Sequence, residues 1–174
     1  MLVMYMNRSI ERSILTYPNK ILLEQAKDVE FPISDYVKNV INDMWHLVDS
    51  KGIGLAAPQI GESLNICIIN MSENPEEARK MKIPDFIMIN PKITFYSEIK
   101  NRMIEGCLSF PDQWYWLVRP ANIVVEYQDE DGKNQVLKAK NWLSRVIQHE
   151  IDHLNGKVFI KHPTAKVVDP SEFE

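Results

Sequence analysis

Cysteine is scarce: Cys67 and Cys107 are the only two in 174 residues, which excludes a disulfide-stapled scaffold. Long apolar runs are missing too, and none reaches the roughly 18 residues that a membrane-crossing helix needs. The opening MLVMYMNRSIERS has a short apolar part with no basic residue ahead of it, so no secretory signal is read there. Positive charge is not in excess either: 20 Lys and Arg stand against 24 Asp and Glu, a formal net charge of −4. Nucleic acid is therefore not expected as a partner, because no surplus of cations is left to displace phosphate counterions. There is no internal repeat, low-complexity stretch or linker. What remains is ordinary for a soluble globule, with 45% hydrophobic and 25% charged residues. A chain of this length buries enough surface to fold without staples. The expectation is one cytoplasmic domain over residues 1–174, with a core from about 13 to 161 and tails at 1–12 and 162–174.

The first clear helix spans about Ser34 to Asp49, where Val37, Val40, Ile41, Met44 and Val48 recur at helical spacing. Ser34 or Asp35 can cap its start, and Gly52 lies beyond its end. Residues 52–61, GIGLAAPQIG, read as a loop of small residues. Short β-like runs follow: LNICIIN, FIMIN, KITFYS, WYWLV, NIVVEYQ and QVLKA. The last two flank Asp131-Gly132, a hairpin signal. SENPEEARKMKIPD reads as a charged surface loop. A second helix runs from about Asn141 to Asn155 and stops at Gly156, and the polar tail HPTAKVVDPSEFE is expected to fray. Helix, antiparallel-looking strands and helix in that order predict an α+β fold, with antiparallel or mixed sheets packed around the helix in the C-terminal half.

That second helix carries His149-Glu150-Ile151-Asp152-His153, an H-E-x-x-H pattern. At about 100° per residue, two histidines four apart share a face. Leu143, Ile147, Ile151 and Leu154 fall on the adjacent face and can pack into a core. The bland alternative is two surface histidines around a solvated glutamate. A catalytic metal site takes three protein ligands and keeps one open position. In the metzincin pattern the third ligand would be a histidine six residues after His153, but Phe159 stands there. His162 beside Pro163 reads as a surface residue. Cys107 is the best remaining candidate, since a thiolate is a good ligand for zinc or ferrous iron and Gly106 permits close backbone approach. Cys67, inside Ile66-Cys67-Ile68-Ile69, reads as an inert buried thiol.

GIGLAA also fits the loose dinucleotide pattern G-x-G-x-x-A, but that motif must follow a strand and open a helix. Here it follows a helix and leads toward a strand, so a nucleotide site is not expected. A tight turn is one reading; a main-chain edge at Gly54 that binds an extended peptide is the other.

Three segments in this order, Gly52-Ile53-Gly54-Leu55-Ala56-Ala57-Pro58-Gln59, Glu105-Gly106-Cys107-Leu108-Ser109 and Gln148-His149-Glu150-Ile151-Asp152-His153, resemble the signature motifs of the peptide deformylase family. Ile14-Leu15-Thr16-Tyr17-Pro18 and Leu154-Asn155-Gly156 extend the likeness over about residues 13–161. The resemblance implies an α+β fold and a mononuclear centre on Cys107, His149 and His153. The metal it implies is Fe²⁺, replaceable by Zn²⁺ or Ni²⁺. The implied activity is co-translational removal of the N-terminal formyl group from nascent polypeptides that begin with formylmethionine, releasing formate. On that reading the metal lowers the pKa of its water toward about 7 and Glu150 is the general base. The Gln59 amide and the Leu108 backbone N–H receive the charge that develops on the formyl oxygen.

Substrate contacts are expected at Ile53, Gly54, Met103, Glu105, Gly106, Trp142 and Val146, with an apolar pocket for the methionine side chain. Glu105 can orient a ligand histidine, Asp152 can pair with Arg119 or Arg145, and Arg145 reads as a paired structural charge. At Asp112-Gln113-Trp114-Tyr115-Trp116-Leu117 the chain departs from the family pattern, with Trp114 where several members carry arginine. These aromatics are either strand core or an apolar rim for substrate. The long C-terminal helix that supports ribosome docking in some members is missing, so only a transient ribosome contact is expected. The oligomeric state is expected to be monomer or weak homodimer. A metallohydrolase for other N-acylated peptides and a silent binding protein are the competing readings; intact Gln59, Cys107, His149, Glu150 and His153 weigh against the silent one.

Overall fold

The computed structural model describes residues 12–49 and 51–173. The first eleven residues, including almost all of the segment judged for a secretory signal, lie outside the described residues. Helix α1 is Asp35–Val48, as its periodicity demands, and the Ser34 hydroxyl accepts from the Val37 N–H at its start. Strands β1 (Gly54–Ala56) and β2 (Ile66–Ile69) follow, then helix α2 (Pro75–Met81). Strands β3 (Phe86–Tyr96), β4 (Lys100–Cys107), β5 (Phe110–Pro120), β6 (Asn122–Gln128) and β7 (Asn134–Lys140) lead into helix α3 (Asn141–Leu154), and β8 (Lys166–Val167) comes last.

Two antiparallel sheets result, β1-β2-β3-β6-β7 and β4-β5-β8. At its β1–β2 end the larger is covered on both faces, and the alternation of side chains along β2 shows how. Ile66 and Ile68 pack toward α1 with Val40, Ile41 and Met44. Cys67 and Ile69 point the other way, into the cluster that holds Leu143, Ile147 and Ile151 of α3. A strand buried on both sides cannot afford a polar position, so this one reads as a continuous apolar run. Phe110, Leu117, Val158 and Phe159 form a third cluster under the smaller sheet.

Several local expectations are corrected. The charged loop contains α2, whose start signals its charge had masked: Asn74 caps the Glu77 N–H, Pro75 opens the helix, and Glu76 and Glu77 occupy the first turn. The small-residue loop is an edge strand, β1, followed by a 3-10 turn over Ala57–Ile60. FIMIN and KITFYS are one bent strand, β3, whose register breaks between Ile89 and Lys92, with Asn90 at φ 53°. The Asn90 amide is tied to both backbone groups of Val29. Strand β4 has no clear apolar alternation and gave no strand signal; it forms because β5 pairs with it along nearly its whole length. The tail does not fray. Lys166 and Val167 pair with Trp116 and Tyr115, and Trp116 Nε1 donates to Glu172 at 2.8 Å, satisfying an edge that β5 would otherwise expose.

Candidate metal centre and active site

Three separate stretches of chain meet beside α3. Leu143, Ile147, Ile151 and Leu154 are buried against the large sheet, which turns His149 and His153 toward the end of β4. Cys107 is the last residue of β4, and its Sγ lies 3.2 Å from His153 Nε2. One ligand atom from each of Cys107, His149 and His153 lies within 4.8 Å of the other two. Tetrahedral bonds of about 2.0–2.3 Å place ligand atoms roughly 3.3–3.6 Å apart, so one sulfur and two imidazole nitrogens fit a single divalent ion with small adjustments. Cys67 is fully buried elsewhere, and burial pushes its thiol pKa well up, as an inert core cysteine requires.

Behind the ligands lies a buried charge network. Glu105 accepts from His149 Nδ1 at 2.8 Å, from Arg119 Nε at 2.7 Å and Nη2 at 3.0 Å, and from Arg145 Nη1 at 2.8 Å. Arg119 also donates to Asp152 at 2.6 Å. Burial alone would raise the Glu105 pKa, but the donors from His149 and Arg119 outweigh it and hold the carboxyl well below the usual range. The carboxylate therefore fixes the His149 ring, with Nδ1–H toward Glu105 and Nε2 left for an ion. Burial also lowers the tendency of both imidazoles to protonate. At His149 the neighbouring Cys107 and Glu105 reverse that and the pKa goes up; at His153 burial, aided by the charge on His149, takes it well down.

Glu150 faces the same space. It is buried, and its Oε2 has no partner among the described residues. Burial raises its pKa from the ordinary carboxylate value to about 7, opposed by His149 and reinforced by Glu105. Gly54 makes room for it: a Cβ there would lie 2.7 Å from Glu150 Cδ and 2.9 Å from Cγ. Gly106 does the same for the Trp114 ring. Gln59 sits in the 3-10 turn after β1, where the Ala56 N–H donates to its Oε1 at 2.9 Å. That bond leaves the amide NH₂ directed at Cys107 Sγ, 3.6 Å away, and at Ser109 Oγ, 3.2 Å away.

A cavity of about 740 Å³ opens over this group, a volume suited to a small ligand or the end of a peptide. Ile53, Gly54, Gln59, Met103, Glu105, Gly106, Cys107, Leu108, Trp142, Val146, His149 and Glu150 all line it, so every expected site residue except His153 reaches its wall. His153 is buried in the helix packing, with its Nε2 against Cys107 Sγ. Glu105 is at the wall, but its carboxylate is taken up by two arginines and His149. Leu108 occupies the tight turn between β4 and β5. Trp114, of the divergent aromatic run, lines the cavity and is 49% exposed, a rim position; Tyr115 instead packs on Phe159 and Trp116 stacks under Arg102. Sequence reasoning missed Ser109 and the joint hold of Arg119 and Arg145 on Glu105. Their only local signal was two arginines within reach of an acidic motif.

The family model described as Polypeptide deformylase matches residues 11–168. A peptide deformylase of Wolbachia sp. subsp. Drosophila simulans is 41% identical over 154 residues, covering 86% of this chain and 85% of the relative. That of Pelagibacter ubique is 41% identical over 152 residues, covering 87% and 85%. The solved structure of the Ehrlichia chaffeensis peptide deformylase superposes with a TM-score of 0.78 at 39% identity, covering 87% of each chain. A second structure of that protein, in complex with actinonin, gives 0.78 at 37% identity, covering 92% of this chain and 90% of the other. With sequence, fold and the sulfur–imidazole cluster in agreement over most of its length, this chain belongs to the polypeptide deformylase family.

Proposed function

We propose a residue-level assignment for the metal-dependent deformylation of formylmethionyl polypeptides, the reaction of the family to which the chain belongs. Cys107, His149 and His153 hold one divalent ion, and a thiolate beside two imidazoles suits Fe²⁺, with Zn²⁺ or Ni²⁺ as substitutes. When bound, the ion supplies Lewis acidity to the attacking water and to the formyl oxygen. Glu150 takes the proton of that water as general base and hands it to the departing amine, so that formate and a free methionine N-terminus leave. Its buried, unpartnered oxygen beside the ligands supports this role.

The Gln59 amide and the Leu108 N–H donate to the oxygen on which charge develops. The peptide main chain lies along β1, an edge strand whose Gly54 is paired to Ile69 on one side only, and adds to it as a further strand. Its first side chain enters between Ile53, Met103, Trp142 and Val146, and Gly106 also lines the cavity. Glu105 serves by holding His149. The chain acts as one domain on nascent polypeptides in the cytoplasm, as monomer or weak homodimer, with transient ribosome contact. No described helix is long and apolar enough to cross a membrane.

The observation that carries this assignment is the meeting of Cys107, His149 and His153 at a cavity that also holds an unpartnered Glu150. The test is turnover of formyl-Met-Ala-Ser against acetyl-Met-Ala-Ser by protein loaded anaerobically with Fe²⁺ or Ni²⁺. Strong preference for the formyl peptide is expected, with Glu150→Gln keeping the metal but losing about 10²–10⁴ in kcat, and Cys107→Ala losing the metal. Equal rates on both peptides would favour a broader N-acyl metallohydrolase instead.

A further inference from the structure

The side-chain donor assigned to the formyl oxygen is one hydrogen of an amide that carries two, on a bond with a broad torsional preference. Gln59 is 2% exposed, and its amide is held at both ends. At one end the Ala56 N–H donates to Oε1 at 2.9 Å. That bond decides which end is oxygen, since the amide turned over would set N–H against N–H. At the other end Nε2 donates to Ser109 Oγ at 3.2 Å and lies 3.6 Å from Cys107 Sγ. An amide nitrogen cannot accept, so the serine oxygen is the acceptor of its bond. Ser109 is fully buried, in the turn with Leu108 between β4 and β5, and is not among the residues that line the cavity.

The two hydrogens of Nε2 leave a planar group at a fixed angle. Once one is committed to Ser109, the direction of the other is set. It points to the side of Cys107, where the ligand atoms of His149 and His153 also gather. Without the serine oxygen, a buried amide hydrogen has no acceptor, which is unfavourable and draws the amide to turn toward another. A donor stabilises developing charge best when it needs no reorientation during the reaction. Loss of that fixed direction slows the reaction even though the donor is still present.

We propose that Ser109 is a positioning residue for the reaction: its hydroxyl binds one amide hydrogen of Gln59 and so directs the other at the formyl oxygen. Ser109 acts only through Gln59 and touches neither the substrate nor the ion. The inference rests on the role given to Gln59 above. It differs from a purely structural role, in which the hydroxyl satisfies the tight turn and keeps Cys107 and Leu108 in place.

The experiment is a double-mutant cycle on kcat and KM for formyl-Met-Ala-Ser, with wild type, Ser109→Ala, Gln59→Ala and the double variant, each also assayed for bound metal. Gln59→Ala is expected to lose about 10²–10³ in kcat. A misdirected donor costs less than a missing one, so Ser109→Ala is expected to lose about tenfold in kcat, with KM and metal content unchanged. In the Gln59→Ala background, removal of the Ser109 hydroxyl is expected to change kcat by less than about twofold. The inference is overturned if Ser109→Ala keeps the wild-type kcat or loses metal. It is equally overturned if the loss recurs in full in the Gln59→Ala background, as damage to the turn at Cys107 and Leu108 would produce. Ser109→Gly removes the same hydroxyl and carries the cycle should the alanine variant fail to fold. A Gln59→Ala enzyme with wild-type kcat would instead overturn the role of Gln59, and this inference with it.

Discussion

Gly54→Ala tests the placement of the proposed general base without changing Glu150 or any of the proposed metal ligands. An alanine Cβ would sit 2.7 Å from Glu150 Cδ and 2.9 Å from Cγ. Carbon atoms in contact settle at about 3.5–4.0 Å, so the carboxylate must retreat by roughly 1 Å or the edge strand must shift. Displacement of a reacting group by about 1 Å costs on the order of 10²-fold in rate. Forcing a methyl group into a filled site costs about 1–3 kcal/mol of stability, or roughly 2–12 °C in Tm for a chain of this size. The backbone is not the obstacle, because Gly54 is not among the residues with positive φ. The assays are steady-state kcat on a formyl peptide, metal content of the purified variant and a thermal melt. The expected pattern is full metal occupancy, a modest loss of Tm and a kcat about a hundredfold down. A variant with wild-type kcat would refute the claim that the Glu150 carboxylate works from its position against β1.

Glu105→Gln leaves two buried guanidiniums facing a neutral amide, so a loss of about 3–5 kcal/mol is expected in chemical denaturation. The same variant should bind metal about 10–100-fold more weakly because the His149 ring is no longer held by a carboxylate, which competition with a chelator would read. Ile147→Ala, on the fully buried face of α3, should cost about 2–5 kcal/mol in the same denaturation assay while the metal stays bound. The Cys67 thiol, held protonated by burial, makes wild type less stable above about pH 9. The unfolded chain loses that proton and the folded one keeps it, so stability falls with rising pH by up to about 1.4 kcal/mol per unit. Cys67→Ala should lack this component when denaturation curves at pH 8 and pH 10 are compared, and a parallel pH response in the two proteins would contradict the burial argument.

Much of this molecule is written locally. The apolar spacing of α1, the run Ile66–Ile69 buried on both faces, the Asp131-Gly132 hairpin and the H-E-x-x-H face of α3 follow from periods of 3.6 and 2 within single segments. What misled local reading was charge and polarity. The acidic and basic residues of α2 hid a capped helix, and the mixed pattern of β4 hid a strand that exists because β5 pairs with it. The tail took its place for the same reason, by supplying partners to the open side of β5.

The sequence alone determined that two imidazoles and a glutamate share one helical turn and that a thiol flanked by glycine was available to complete a metal site. Tertiary structure decided the rest. It carried Cys107 across 46 residues to within 3.2 Å of His153 Nε2. It joined Glu105 to Arg119, Arg145 and His149 as one buried unit. Periodicity describes which way a side chain leaves its own backbone. Which partner it meets depends on how separate elements pack, and that is fixed by burial and pairing summed over the whole fold.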